Sequence, residues 1–491
     1  IGQVPYHFVY STRADGQRLR AGDTFFTDST PRGQAWPEGL GTLLAASYFR
    51  DGYLLSQFLR QGARAGDNDI FEFLWRDPDL KPRPLEKLPL SRYFGGPFGW
   101  MIARTGWGES AVVAEMKINE YNFVNHQHLD AGAFQIYYKG ALAIDTGAYQ
   151  GMNGSYESAH AKNYSWRTIA HNSLLVRDPK EDFGEARGYG NEGGQRIPNR
   201  RQEARTLAML RAPENGYRTG EVLSHGFGPD AQAPDYTLLQ GDLTRAYSAK
   251  VKEVRRSNVF LNLRNEKTPA ALVVFDRVVS ADPSFRKYWL LHSLEEPRVE
   301  GNTAVIDVTE HGQRGRLNLD VLLPAADNAA VAKIGGPGRE YWVFGKNYPN
   351  EPRPERLASG SFENGAWRVE VCPKEPSGED LFLTVMQVTD RETGERWPVE
   401  RLDVGTRAGC VLRGPSASWA VLFRKDGARS GEPVAFTVPE GHPFRFLVTD
   451  LAPGVWRARG ARSGRTIRVA AESGAAWFEG PGGAWKLERQ G

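Results

Sequence analysis

Two hydrophobic patterns divide the chain. Between Leu40 and Arg64 the apolar residues Leu43, Leu44, Ala46, Tyr48, Leu54, Leu55, Phe58 and Leu59 predict one or two helices with a break near Asp51-Gly52. Asn68–Trp75 adds one short helix, and residues 1–35 read as short strand or loop pieces punctuated by Gly and Asp. From Ser91 onward the pattern is that of strands. Trp100–Arg104, Ala111–Met116, Ala271–Phe275, Lys287–Leu291, Leu317–Leu323 and Leu381–Gln387 are apolar runs separated by turn residues, with no long helix between them. Such a succession predicts a mainly β chain built on a large antiparallel β-sandwich.

Punctuation in the sequence sets the expected boundaries. Asp77–Pro89 carries Pro78, Pro82, Pro84 and Pro89 and reads as a linker; Val388–Trp397 is polar and turn-rich. The expected parts are a helical region with its linker over 1–85, the sandwich over 86–390 and a small β-domain over 391–491. The last part shows short strands at regular spacing: Cys410–Leu412, Ser418–Phe423, Val434–Val438, Phe444–Val448, Val455–Arg459, Thr466–Ala470 and Ala476–Phe478. Its Trp419, Trp456, Trp477 and Trp485 serve either as core or as sugar-stacking platforms, with core the expected role for most.

Composition narrows the classes. The chain has 491 residues, 40% of them hydrophobic, enough for several cores. No apolar run is long enough to span a bilayer as a helix, so no membrane partner is expected. A formal charge of only +3 gives no reason to expect nucleic acid, though a local basic groove for an acidic polymer is compatible with it. Two cysteines, Cys372 and Cys410, make no disulfide framework; one bridge is conceivable and unforced. No signal peptide is visible, and a first residue of Ile1 leads us to expect a trimmed chain or a part of a longer one.

Chemistry concentrates in residues 122–172, which hold four of the nine histidines. His126, His128, Asp130, Asp145, His160 and His171 form the densest set of metal ligands and proton carriers. Ala133–Tyr138 and Ala141–Asp145 read as a hairpin around Lys139-Gly140, with Ser173–Val176 a third strand. His126 and His128 are two apart, so on a strand they face one side. His128, Asp145 and His171 then converge as two imidazoles and one carboxylate, a donor set for Zn²⁺ with an open position. The bland alternative is polar residues tying a sheet together. The Gly-rich loop 178–203 offers Arg187, Arg196, Arg200 and Arg201, either to substrate sulfate and carboxylate groups or to solvent.

The runs NHQHLDAGAFQIYYKG, AIDTGAY, SYES, NY and RTIAHN together resemble the heparinase II/III-like polysaccharide lyases. The specific match covers about fifty residues, with looser echoes at Phe285–Ser293, Val321–Pro324 and Ile334–Gly345. The resemblance implies cleavage of uronate-containing polysaccharide (heparin, heparan sulfate, dermatan sulfate or alginate) by β-elimination, leaving 4,5-unsaturated ends. It implies His126 as the catalytic histidine and Tyr156 near the glycosidic oxygen. It makes His128, Asp145 and His171 ligands of a mainly structural zinc, and leaves Asn125, His160, Asn163 and Arg167 as substrate-binding candidates. A periplasmic or secreted location follows from the same resemblance. Family members also carry an N-terminal (α/α) toroid that supplies a catalytic tyrosine, a carboxylate-neutralising Asn or His and a substrate-binding arginine. The region 1–85 has room only for the last helices of it, so the toroid is expected elsewhere, upstream or on a separate chain. Two rival readings share the residues: a non-catalytic protein binding acidic polysaccharide, and a cupin-like metalloenzyme.

Overall fold

The computed structural model describes residues 2–23, 39–60, 69–146, 158–310, 312–350, 365–461 and 463–490. The fold is mainly β. Strands β1 (Ser91–Phe94), β2 (Trp100–Arg104), β3 (Val113–Lys117), β4 (Phe134–Tyr137) and β5 (Ala141–Ala143) form an antiparallel sheet in sequential order. Lys139 and Gly140 make the expected turn between the last two, both with positive φ. β6 (Leu174–Arg177) belongs to a different, four-stranded sheet, beside Arg286–Ser293. Eight antiparallel strands drawn from residues 221–390 form the large sheet.

Alternating side chains explain the layering. In β2, Met101 and Ala103 enter the central core, while Ile102 faces the helices. On the large sheet, Leu272 and Val274 enter the same central core, and Ala271, Val273 and Phe275 point the other way. Each sheet is therefore apolar on both faces and must be covered on both. Helices α1 (Val4–Ser11), α2 (Leu40–Tyr48) and α3 (Gly52–Arg60) cover the five-stranded sheet, with Tyr10, Leu43, Leu54 and Phe58 packed on Ile102, Val113 and Tyr137. The expected break at Asp51 is a cap: its Oδ1 accepts the N–H of Tyr53 at 2.9 Å and of Leu54 at 3.3 Å. α4 (Asp69–Trp75) follows. No described helix is long and apolar enough to cross a membrane.

Helix α1 corrects the reading of residues 1–35 as strand or loop. Tyr6, Val9 and Tyr10 are buried three and four apart, and Pro5 lies in the first turn, where a missing N–H breaks no helical bond. Val434–Val438 and Phe444–Val448 are parts of one strand, Val434–Val448, with a register shift between them, and Val399–Val404 is a strand not foreseen. The C-terminal strands form a single seven-stranded sheet. Trp397, Cys410, Trp419 and Val421 pack on Val259, Ala271 and Val385 of the large sheet. Trp419, Trp456 and Trp485 are buried core, and Trp477 packs at its margin. Cys372 and Cys410 are both buried and free.

One ion pair ties the central core together. Arg256 and Asp276 face each other on adjacent strands of the large sheet, both wholly buried, at 2.7 Å and 3.0 Å. The second arm of the guanidinium, Nη1, donates to the carbonyls of Gly132 at 2.7 Å and Asn172 at 2.8 Å, on the opposite layer. Removing one partner leaves a buried charge uncompensated, so Asp276→Ala lowers folding stability by about 3–5 kcal/mol. Denaturant midpoints at matched slope check this; a loss under about 1 kcal/mol would show the pair to be dispensable.

Candidate metal and proton-transfer site

His126, His128 and His171 lie on loops between strands, and His160 lies at the start of the helical segment Ala161–Ser165. His126 and His128 do not sit on a strand, the setting in which their spacing would put them on one side; they lie on a loop after Tyr121 that turns at Asn125-His126. Val124 has φ 75° and His126 φ 55°, left-handed values that a β-branched residue such as valine rarely adopts. Side chains hold the turn in that shape. Asn122 Oδ1 accepts the N–H of Val124 while its Nδ2 donates to the His128 carbonyl; Gln127 Oε1 accepts the N–H of Phe123 while its Nε2 donates to the Tyr121 carbonyl.

Both imidazoles converge on one carboxylate that the sequence did not mark. Asp23 Oδ2 lies 2.9 Å from His126 Nδ1, and Asp23 Oδ1 lies 2.8 Å from His128 Nε2. The N–H of Asp23 also donates to the His126 carbonyl at 3.0 Å. Gly22 makes the approach possible: its φ is +54°, and a Cβ there would sit 2.2 Å from the His126 carbonyl oxygen. Arg20 straps this segment to the sheet. Its N–H donates to Gln135 Oε1, its carbonyl accepts from Gln135 Nε2, and its Nη1 donates to the Asp145 carbonyl at 2.7 Å. The only sequence hint of Asp23 was the Gly-Asp pair within a polar stretch, 103 residues before His126.

His128, Asp145 and His171 come together as expected, each buried, with ligand atoms within 4.8 Å of one another. They arrive from loops at the edges of two sheets, not from three neighbouring strands. Asp145 follows β5, and His171 ends a short 3-10 turn ahead of β6. His171 Nδ1 lies 2.9 Å from Asp145 Oδ1. His128 Nδ1 is buried with no hydrogen-bond partner among the described residues. Two imidazoles, one carboxylate and an unbonded buried nitrogen fit a borderline-soft divalent ion such as Zn²⁺. With an ion on the triad, Asp23 would stand behind His128 as the carboxylate that fixes its tautomer.

In the metal-free chain Asp145 and His171 balance each other's charge, so an ion on the triad would have to displace the His171 proton. Burial alone would raise the Asp145 carboxyl, but His171 beside it outweighs burial and holds it well below the usual carboxylate range. Burial would lower the His171 imidazole, and Asp145 raises it instead. Beneath them, the buried Lys117 ammonium is shared between Asp130 at 3.1 Å and Glu115 at 3.3 Å. Asp130 Oδ1 also accepts from Asn119 Nδ2, so Asp130 belongs to this supporting network and not to the triad.

The remaining candidates separate by exposure. Asn125 and His126 are exposed, and the His126 side chain is 54% accessible. His160 is buried, with Nδ1 2.7 Å from the Tyr348 carbonyl. Asn163 and Arg167, expected to bind substrate, are instead committed to the interior. Asn163 bonds the carbonyls of Ala159 and Gly188 and the N–H of Gly190; Arg167 is fully buried against Glu192 at 2.9 Å. Tyr156 lies outside the described residues.

Family models match most of the chain. One described as Heparinase II/III-like, C-terminal covers residues 94–387, and one described as Heparinase II C-terminal domain covers residues 414–489. Among solved structures the chain is similar to a mutant of the heparan sulfate lyase HepC from Pedobacter heparinus, at 14% identity and a TM-score of 0.51, covering 86% of this chain and 52% of that one. It is similar to Heparinase III at 11% identity and a TM-score of 0.51, covering 86% and 54%. At such identities the likeness is one of fold. The chain spans about half the length of the solved structures it matches. No curated protein sequence matches it.

Two outcomes follow from the geometry. Asp23→Ala leaves a buried imidazole nitrogen of His128 without its acceptor, so if the triad holds Zn²⁺ its affinity falls about 10- to 100-fold, read by competition with a chromophoric chelator. Unchanged affinity would remove Asp23 from the support of His128. In the metal-free chain the Asp145–His171 pair adds most stability between about pH 4 and 6.5. It weakens above that window as His171 loses its proton through a raised pKa, and below it as Asp145 gains one through a depressed pKa. Uptake of a divalent ion at the triad would have the opposite sense, since it needs a neutral imidazole and would strengthen as pH rises. Denaturation series with and without chelator check both signs.

Proposed function

This chain belongs to the heparinase II/III-like family, and we propose that it works as a lyase on uronate-containing polysaccharide, a glycosaminoglycan or alginate. The observation that carries this reading is the exposed imidazole of His126, held by Asp23, whose other oxygen holds His128 of the buried group His128, Asp145 and His171. An exposed imidazole fixed by a buried carboxylate is a proton carrier with a set orientation. We place the protein in the periplasm or outside the cell, where such polymers are met.

The elimination sets the demands. The proton on C5 of the uronate moves to a base, the C5–H electron pair forms the C4=C5 double bond, and the C4–O bond breaks. The departing oxygen takes a proton from an acid. Negative charge gathers on the uronate carboxylate as C5 loses its proton, so hydrogen-bond donors must face it. In our reading His126 takes the C5 proton or neutralises the carboxylate, and the neighbouring Asn125 amide donates to that carboxylate. The second proton carrier is Tyr156 or a residue of a toroid outside these 491 residues. Zinc on His128, Asp145 and His171 would supply fixed positive charge and rigidity. Asp23 orients both histidines, and the Asn122 and Gln127 bonds keep the turn in its left-handed shape.

The test offers heparin, heparan sulfate, dermatan sulfate, hyaluronan and alginate, and follows the ultraviolet absorbance of the unsaturated uronate. The chain is assayed alone and joined to any preceding helical region. His126→Ala lowers turnover at least about 100-fold, with metal content and folding unchanged. Equal turnover by the variant would remove His126 from the chemistry. Binding of these polymers without product from either form would make the protein a polysaccharide-binding module instead.

A further inference from the structure

A second site lies on the loop 178–203, apart from the histidines. A cavity of about 510 Å³ opens between the turn at Phe183–Arg187 and the segment Arg196–Arg200. Arg187, Arg196 and Arg200 line it, with Phe183 and Tyr189 as its aromatic wall. Two carboxylates also reach it, and both are already engaged. Glu181 Oε2 pairs with Lys250 Nζ at 2.6 Å, and Asp182 Oδ1 accepts the N–H groups of Gly184 and Glu185 at 2.7 Å and 2.8 Å. None of the three guanidinium groups has a carboxylate partner among the described residues.

The arginines are placed by specific local structure. Arg196 is half-buried; its Nη2 donates to the Pro213 carbonyl, and its buried Nε has no partner among the described residues. Gly216, with φ +71°, lets it lie there: a Cβ would sit 2.7 Å from the guanidinium carbon. Asn199, Arg200 and Arg201 all have positive φ, at 39°, 54° and 67°, and Asn199 is anchored to the Tyr217 hydroxyl at 2.8 Å. A turn of three left-handed non-glycine residues is unfavourable on its own and is kept by its surroundings. Arg200 is thereby presented at the cavity rim.

The cavity wall is continuous with the histidine site. Phe183 and Ile197 pack on a cluster of Leu129, Ala161, Trp166 and Tyr189. Leu129 follows His128, and its N–H donates to the Trp166 carbonyl at 2.9 Å. Guanidinium groups pair sulfate and carboxylate through planar double hydrogen bonds, while Phe183, whose ring carries the Arg167 guanidinium at 4.5 Å, and the buried Tyr189 close the inner wall.

We propose that this cavity is a distal subsite that binds an anionic sugar unit of the same polysaccharide chain, through Arg187, Arg196 and Arg200. The proposal rests on the lyase reading for the identity of the polymer, and its test is a binding measurement independent of turnover. The full chain is titrated calorimetrically with a heparin hexasaccharide, an alginate hexauronate and neutral maltohexaose. The exposed double variant Arg187→Ala/Arg200→Ala is titrated beside it, with Arg196→Ala as a second variant and folding checked by denaturation. The anionic ligands bind the unaltered chain, maltohexaose does not, and the double variant loses at least about tenfold in affinity. Tighter binding of heparin assigns the contact to sulfate; tighter binding of hexauronate assigns it to carboxylate. Affinity unchanged in the folded double variant, equal binding of maltohexaose, or no binding of either anionic ligand overturns the subsite. Arginine-dependent binding with no unsaturated product from the chain, alone or joined to a preceding helical region, leaves the subsite standing and removes the lyase reading; product with arginine-independent binding does the reverse.

Discussion

The fold depends on one buried guanidinium. Arg256 crosses the central core from the large sheet and holds Gly132 and Asn172 on the opposite layer, with Asp276 balancing its charge. An unpaired charge at that depth would be prohibitive, so strand register and loop position are set together. Asn172 carries the constraint onward. Its amide donates to the carbonyls of Phe134 and Ile144, and its oxygen accepts the N–H of His292. It follows His171 directly, and Ile144 precedes Asp145. The metal-ligand candidates therefore sit on loops whose backbone is pinned from below.

A second constraint works from above. The segment bearing Arg20 and Asp23 is laid over the sheet and joins two histidines through one carboxylate. Lys117, its acids and the triad are buried alike, and His126 beside them is exposed. Such an arrangement suits a site in which rigid charges orient one accessible proton carrier. It unites the zinc-binding and proton-transfer readings of the residues, with Asp23 as the shared member.

Much of this was legible in the sequence, for identifiable reasons. Trp100–Arg104 matches its strand end to end, because alternation between two cores leaves a clear apolar run. The triad was legible because its members lie within one stretch of the chain. Asp23 was not, since its role exists only after a contact spanning 103 residues. The strand geometry assumed for His126 and His128 failed because left-handed residues at Val124 and His126 turn the chain. The resemblance made Arg167 a substrate-binding candidate, and only the structure reveals Glu192 beside it. Helix α1 was hidden by its aromatic and β-branched composition, which reads as strand when helical spacing is not followed.

The most direct measurement is a crystal structure of His126→Ala with a uronate tetrasaccharide bound. The account predicts a uronate whose carboxylate meets the Asn125 amide, with C5 within about 3–4 Å of where the imidazole ring lay. Zinc would rest on His128, Asp145 and His171. A sugar bound only elsewhere on the chain, with the Asn125 turn left bare, would contradict it.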